Sequence, residues 1–125
     1  MERVPLRKPK LYFDTMAHPS HVTFDDGVEE RRNLSWVNYV EARWDHSEPE
    51  LIKIEIGESV VFLRGHNLGP LFSAIEEHIL LRVRAQPGLQ TEREHECDTF
   101  VSEIRFTAKQ KPETGGKRLE QGELF

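Results

Sequence analysis

The sequence holds one cysteine, Cys97. No internal disulfide can form, so an apolar core must hold the fold, and a reducing compartment such as the cytoplasm is the expected setting. Long hydrophobic runs are also missing. No apolar stretch reaches the length that spans a bilayer, and the first residues lack the apolar centre of a signal peptide, so no membrane association is expected. Positive charge is in short supply: 17 Lys and Arg face 22 Asp and Glu, a net charge of −5. Bulk attraction to nucleic acid is therefore not favoured, although a local basic face would still allow it. There is no Gly-rich phosphate loop, no G-x-S-x-G elbow and no Cys–His signature. These absences leave no catalytic residue and no cofactor to name.

What is present suits one small soluble domain. Hydrophobic residues make up 37% of the 125-residue chain and charged residues 31%, which gives a modest core under a heavily charged exterior. The organising stretch is residues 51–85. Ile52, Ile54 and Ile56 alternate with Lys53 and Glu55, which puts the isoleucines on one face of a strand. Residues 57–59 read as a turn at Gly57, and 60–64 as a returning central strand whose run Val60-Val61-Phe62-Leu63 suits burial on both faces. Residues 65–67 break that strand. Asn67 or Gly69 then caps a helix with Pro70 in its first turn, and Leu71, Phe72, Ala74, Ile75 and Ile79 form its apolar stripe. Residues 80–85 read as a strand ended by Gln86-Pro87-Gly88.

The rest of the chain adds strands. A short one is expected at 11–13. A polar edge hairpin is expected at 22–32, with Asp-Asp-Gly as a primed turn and 28–32 as its returning strand. Asn33-Leu34-Ser35 resets the chain before one long strand over 36–44, and a final strand covers 98–108. The fold class is α+β: a single domain, mainly an antiparallel sheet of about six strands with one main helix packed on it. Three regions follow. Residues 1–10 form a basic N-terminal arm and 11–108 the globular domain. Residues 109–125 are so poor in apolar groups before their last two residues that a flexible tail is expected.

Candidate sites come from position and residue type. Arg64, His66 and Asn67 lie where a strand gives way to a helix, a place where side chains and helix-end N–H groups meet at a surface cleft, so an anion or small ligand is one reading. The same residues also suit the plainer task of tying the turn. His18 and His21, with His95 and Cys97, are weak metal candidates, since zinc accepts His and Cys but no repeated ligand pair is present. His78 falls at the helix C-terminus, where it suits the helix dipole. Arg43, Lys53, Arg82, Arg84 and Arg105 could share a sheet face with Glu41, Glu55 and Glu103. Cross-strand ion pairing is the favoured reading there and a nucleic-acid platform the other. Trp36 and Trp44 offer area for a core or for a homo-oligomer interface.

The sharpest feature is Gln121-Gly122-Glu123-Leu124-Phe125. It resembles the short peptide by which bacterial replication and repair proteins bind the DNA polymerase sliding clamp: Gln, usually Leu, a small or acidic residue, then Leu-Phe. The resemblance implies that Gln121 hydrogen-bonds at one end of the clamp groove, that Glu123 fits the third position, and that Leu124 and Phe125 enter an apolar pocket. Gly122 stands where the family usually has Leu. The expected function is a non-enzymatic binding module, an accessory of bacterial DNA replication, repair or a mobile element, whose partner is the clamp. The alternative is a small ligand-binding protein or enzyme with its site at Arg64 and His66.

Overall fold

A computed structural model describes residues 8–91 and 95–109. In chain order the strands are β1 (Phe13–Thr15), β2 (His21–Asp25), β3 (Arg31–Ser35), β4 (Tyr39–Trp44), β5 (Leu51–Ile56), β6 (Ser59–His66), β7 (Leu80–Arg84) and β8 (Phe100–Ala108). Helix α1 (Gly69–Glu76) lies between β6 and β7, and short 3₁₀ turns occupy Trp36–Asn38 and Pro87–Thr91. The strands form two four-stranded sheets, ordered β1-β7-β2-β3 and β4-β5-β6-β8. All pairings between these strands are antiparallel except β2 with β7.

The α+β class and the mainly antiparallel pairing agree with the sequence reading. The single sheet of about six strands does not: the described residues form eight strands in two sheets. The division falls within 33–44, where one reset followed by one long strand was expected. Asn33, Leu34 and Ser35 belong to β3 instead. Ser35 caps the 3₁₀ turn by accepting the Val37 N–H, and the turn hands the chain from the first sheet to the second. Trp36 is buried there, and its indole Nε1–H donates to the Leu80 carbonyl at 3.1 Å, fixing the crossing against β7. Beyond it, the β4–β5 register shifts between Tyr39 and Glu41. Tyr39, Ala42 and Trp44 therefore pack on the core while Val40 is half exposed.

Both sheets give apolar side chains to one core. Val22 and Phe24 come from β2, and Ile52, Ile54 and Ile56 from β5, all essentially without exposure. Helix α1 adds Leu71, Ala74 and Ile75, with Phe72 and Ile79 partly buried beside them. Pro70 sits in the first turn as expected, but the N-cap is Leu68, which makes no side-chain cap bond. Arg32 of β3 lies 4.6 Å over the Phe106 ring of β8, a cation–π contact between the two sheets.

The first hairpin also differs from expectation. In place of a tight primed turn, the Asp26 carboxylate accepts the N–H groups of Val28, Glu29 and Glu30 at 2.8, 2.9 and 3.1 Å. The loop is thereby longer and β3 starts only at Arg31. Those donors, Val28 foremost, hold the Asp26 carboxyl below its ordinary value of 3.8. Strand β3 does lie at a sheet edge, whereas β2 is internal. Near the N-terminus, β1 runs two residues later than read, and Leu11 makes a parallel bridge with Thr99. Among the described residues, no helix is long and apolar enough to cross a membrane.

Candidate functional site

The strand-to-helix junction is built around Gly65. Strand β6 does not break there but continues to His66, paired with β8 through a bulge that sets Arg64 opposite Glu103 and Gly65 opposite Val101. Ser102 falls in the skipped position, and its hydroxyl donates to the Arg64 carbonyl at 3.1 Å. The backbones are so close that a Cβ on Gly65 would overlap the Phe100 carbonyl oxygen and the Val101 Cα. Asn67 then takes a left-handed φ of 50°, which Asn tolerates better than most residues.

The junction's polar side chains are committed to this architecture. His66 Nε2 lies 2.6 Å from the Glu96 carbonyl; because a carbonyl only accepts, Nε2 carries the proton. Asn67 Nδ2 donates to the carbonyls of Glu96 and Asp98 at 3.0 and 3.2 Å, and the Asn67 carbonyl accepts the Thr99 hydroxyl at 2.7 Å. Arg64 faces Glu50 at 3.5 Å and Glu48 at 3.9 Å. A cleft of about 390 Å³ runs beside the junction between Trp44, Pro49 and Leu68. Asn67 or Gly69 was expected to cap the helix; neither is the N-cap, and Asn67 binds the segment before β8.

That segment carries a second polar cluster, which the sequence did not single out. The Asp98 carboxylate is fully buried, accepts the Lys10 N–H at 2.8 Å and lies 3.0 Å from His95 Nδ1. The Tyr12 hydroxyl is 3.3 Å from the same nitrogen. Residues 10–12, the segment 95–99 and the junction at 66–67 are thus joined in one hydrogen-bonded clasp.

The metal candidates do not assemble. Among the described residues, no three His, Cys, Asp or Glu side chains gather as a metal would require. His95 is part of the clasp, Cys97 is an exposed thiol, His21 Nδ1 lies 3.0 Å from the Ser20 hydroxyl, and His18 is exposed with a φ of 54°. His78 stacks on Trp36 at 4.8 Å and meets the edge of Tyr39 at 4.7 Å. Burial, followed by the charge of Glu41, raises the Tyr39 phenol above its ordinary value of 10.0.

The outer face of the second sheet carries a further surface among the described residues. Its cross-strand register sets Arg43 beside Lys53, Lys53 beside Phe62, and Phe62 beside Arg105. A half-buried aromatic therefore lies within a row of cations. Two adjoining depressions of about 380 and 510 Å³ meet at Phe62 and Thr107, with Leu51 and Val60 as further apolar floor. Lys53, Arg64, Arg105 and Lys109 stand along them, together with Glu55 and Glu103. Cross-strand and same-strand pairs balance part of this charge: Lys109 to Glu55 at 3.4 Å, Lys53 to Glu55 at 3.9 Å, and Arg105 to Glu103 at 2.7 Å. Arg82 and Arg84, expected on the same face, are in β7 of the other sheet, where Arg84 approaches Asp25 at 4.0 Å.

Phe62 was read only as part of a doubly buried strand. Its two-residue spacing from Val60 and Arg64 carried the signal that it belongs to the outer face. Gln121, Glu123, Leu124 and Phe125 lie outside the described residues. No protein-family model, curated protein or solved structure matches the chain.

Proposed function

We propose that the chain is a non-enzymatic binding module that docks on a bacterial sliding clamp through Gln121, Glu123, Leu124 and Phe125. One observation carries the reading: the order Gln-x-Glu-Leu-Phe, which supplies an amide for the rim of a groove and two large apolar side chains for a pocket. A polar segment with two such terminal groups gains little by itself and much by burying them on a partner, less the entropy of ordering. Supporting it, the side chains of the rival site are already engaged. His66 and Asn67 bind backbone carbonyls, and Arg64 lies between two carboxylates.

The test is direct binding of the full chain to purified clamp. Replacing Leu124→Ala and Phe125→Ala together should weaken binding at least 100-fold, since each buried apolar anchor contributes roughly 1.5–3 kcal/mol. Equal affinity of the variant and the parent would remove the clamp from the account.

A further inference from the structure

Strand β4 forms one margin of the second sheet, and among the described residues no strand pairs with its outer side. The backbone N–H and C=O groups along such a margin are a template for another strand. The charged side chains of β4 are also poorly matched within the fold. The β5 register sets Glu41 opposite Glu55 and Arg43 opposite Lys53, like charge beside like charge in both places. Among the described residues, neither Glu41 nor Arg43 stands within ion-pair distance of an opposite charge. Asp45, two residues beyond Arg43, accepts the Ser47 N–H and hydroxyl at 3.1 Å each. Those bonds hold its carboxyl below the ordinary value of 3.8, and Arg43 adds a lesser pull. The other sheet margins differ. In β8, Glu103 and Arg105 have the same spacing but pair with each other at 2.7 Å. Strand β3 carries Arg31 and Arg32 without a carboxylate, and β1 has only three residues.

Glu41 and Arg43 flank Ala42, so β4 is complementary to itself when reversed. We propose that two copies of this chain pair antiparallel along β4, about a twofold axis at Ala42, with Glu41 of each copy opposite Arg43 of the other. The second sheets of the two copies then run on as one. The alternatives fix the axis. With matched sheet faces it must pass through a residue and its own copy. At Glu41 or at Arg43 it sets like charges together, and nearer either end it leaves half of the strand or less in register. At Ala42 a small side chain meets itself. Val40, half exposed in the single copy, comes opposite Trp44, and Asp45 comes opposite Tyr39. Each Glu41 then has Glu55 on one side and an arginine on the other, and each Arg43 has Lys53 on one side and a glutamate on the other. Pairing over residues 40–44 is much smaller than the roughly 20–30 residues a side of a standard interface, so a weak dimer is expected. The inference does not use residues 121–125 and does not rest on the clamp reading.

The test is sedimentation equilibrium of the full chain, without clamp, from about 10 μM to about 1 mM. The parent should show a monomer–dimer equilibrium. Glu41→Arg and Arg43→Glu, each alone, turn two attractive pairs into two repulsive ones and should weaken association about tenfold or more. Neither should harm the fold, since each replaces a like-charge neighbour on β5 with an opposite one, and thermal midpoints of the dilute variants at or above the parent's check this. An equimolar mixture of the two variants restores both attractive pairs and should associate to within about threefold of the parent. In dimers of ¹³C-labelled and unlabelled copies, isotope-filtered NOEs should join the Val40 methyls to the Trp44 ring of the other copy. A parent that stays monomeric at the highest concentration overturns the proposal. So does a parent dimer that both variants retain, because the contact then lies elsewhere. A mixture as weak as its components means that β4 meets a different strand of the second copy, and association beyond the dimer means an open-ended contact; either overturns the twofold pairing. Absence of the Val40–Trp44 NOEs in a dimer moves the axis off Ala42 and overturns it as well.

Discussion

At the scale of the residue, Gly65 decides the shape of the junction. Two backbones meet there with no room for a side chain, and the nearest obstacles are main-chain atoms that cannot rotate away. Gly65→Ala should therefore cost about 1–3 kcal/mol or more, as overpacking does, and lower the midpoint of denaturant unfolding without changing the slope. An unchanged midpoint would show that β6 and β8 separate more easily than their register implies. The sequence marked Gly65 as a breaker, but the strand passes through it. A glycine that bends a chain and one that admits a neighbouring strand look alike until the neighbour is known. The same blindness hid Ser102 and Val40. A bulge adds one residue to one strand and leaves no mark in composition. The alternation of Ile52, Ile54 and Ile56 needed no such knowledge and was legible at once.

At the scale of the element, the loop between β2 and β3 is organised by one carboxylate. Asp26 gathers three N–H groups in its ionised form, and its pKa is lowered in the folded state. A lowered folded value means that its stabilisation is fully present above the ordinary carboxylate range and is lost as pH falls through the depressed value. Asp26→Asn keeps an acceptor oxygen and removes the titration. Its unfolding midpoint should fall less steeply than the parent's below about pH 4. Parallel acid profiles for the two proteins would show that the loop gains nothing from the charge. The hairpin's existence was readable from Val22, Phe24 and the Asp-Gly pair. Its loop length was not, because an Asx-type carboxylate competes with the two-residue turn that the same residues also favour.

At the scale of the whole molecule, the candidate site and the fold share residues. His66 and Asn67 were legible as a junction. Their use was not, since their partners are the backbone carbonyls of Glu96 and Asp98, about thirty positions away and without any side-chain signature. Asp98 anchors the same clasp from beneath, fully buried and joined to the Lys10 N–H and to His95. Removing it takes a fully buried acceptor from two partly buried partners, at about 1 kcal/mol for each bond lost. Asp98→Ala should be the more damaging change and Asp98→Asn the milder, and hydrogen exchange should quicken first at Tyr12 and Thr99. Uniform exchange across the chain in Asp98→Ala would mean that the clasp does not secure these segments separately from the rest.

The order of strands in the first sheet carries one more consequence. Strand β7 lies between β1 and β2, hydrogen-bonded to both, though more than fifty residues separate it from β2 in the chain. A nascent chain leaving the ribosome thus presents β1 and β2 with a vacant slot between them. That slot closes only after β4, β5, β6 and α1 have been made. Until then two strand margins stay open to stray pairing, so the hazardous interval in this protein's biogenesis is set by how quickly translation delivers residues 80–84.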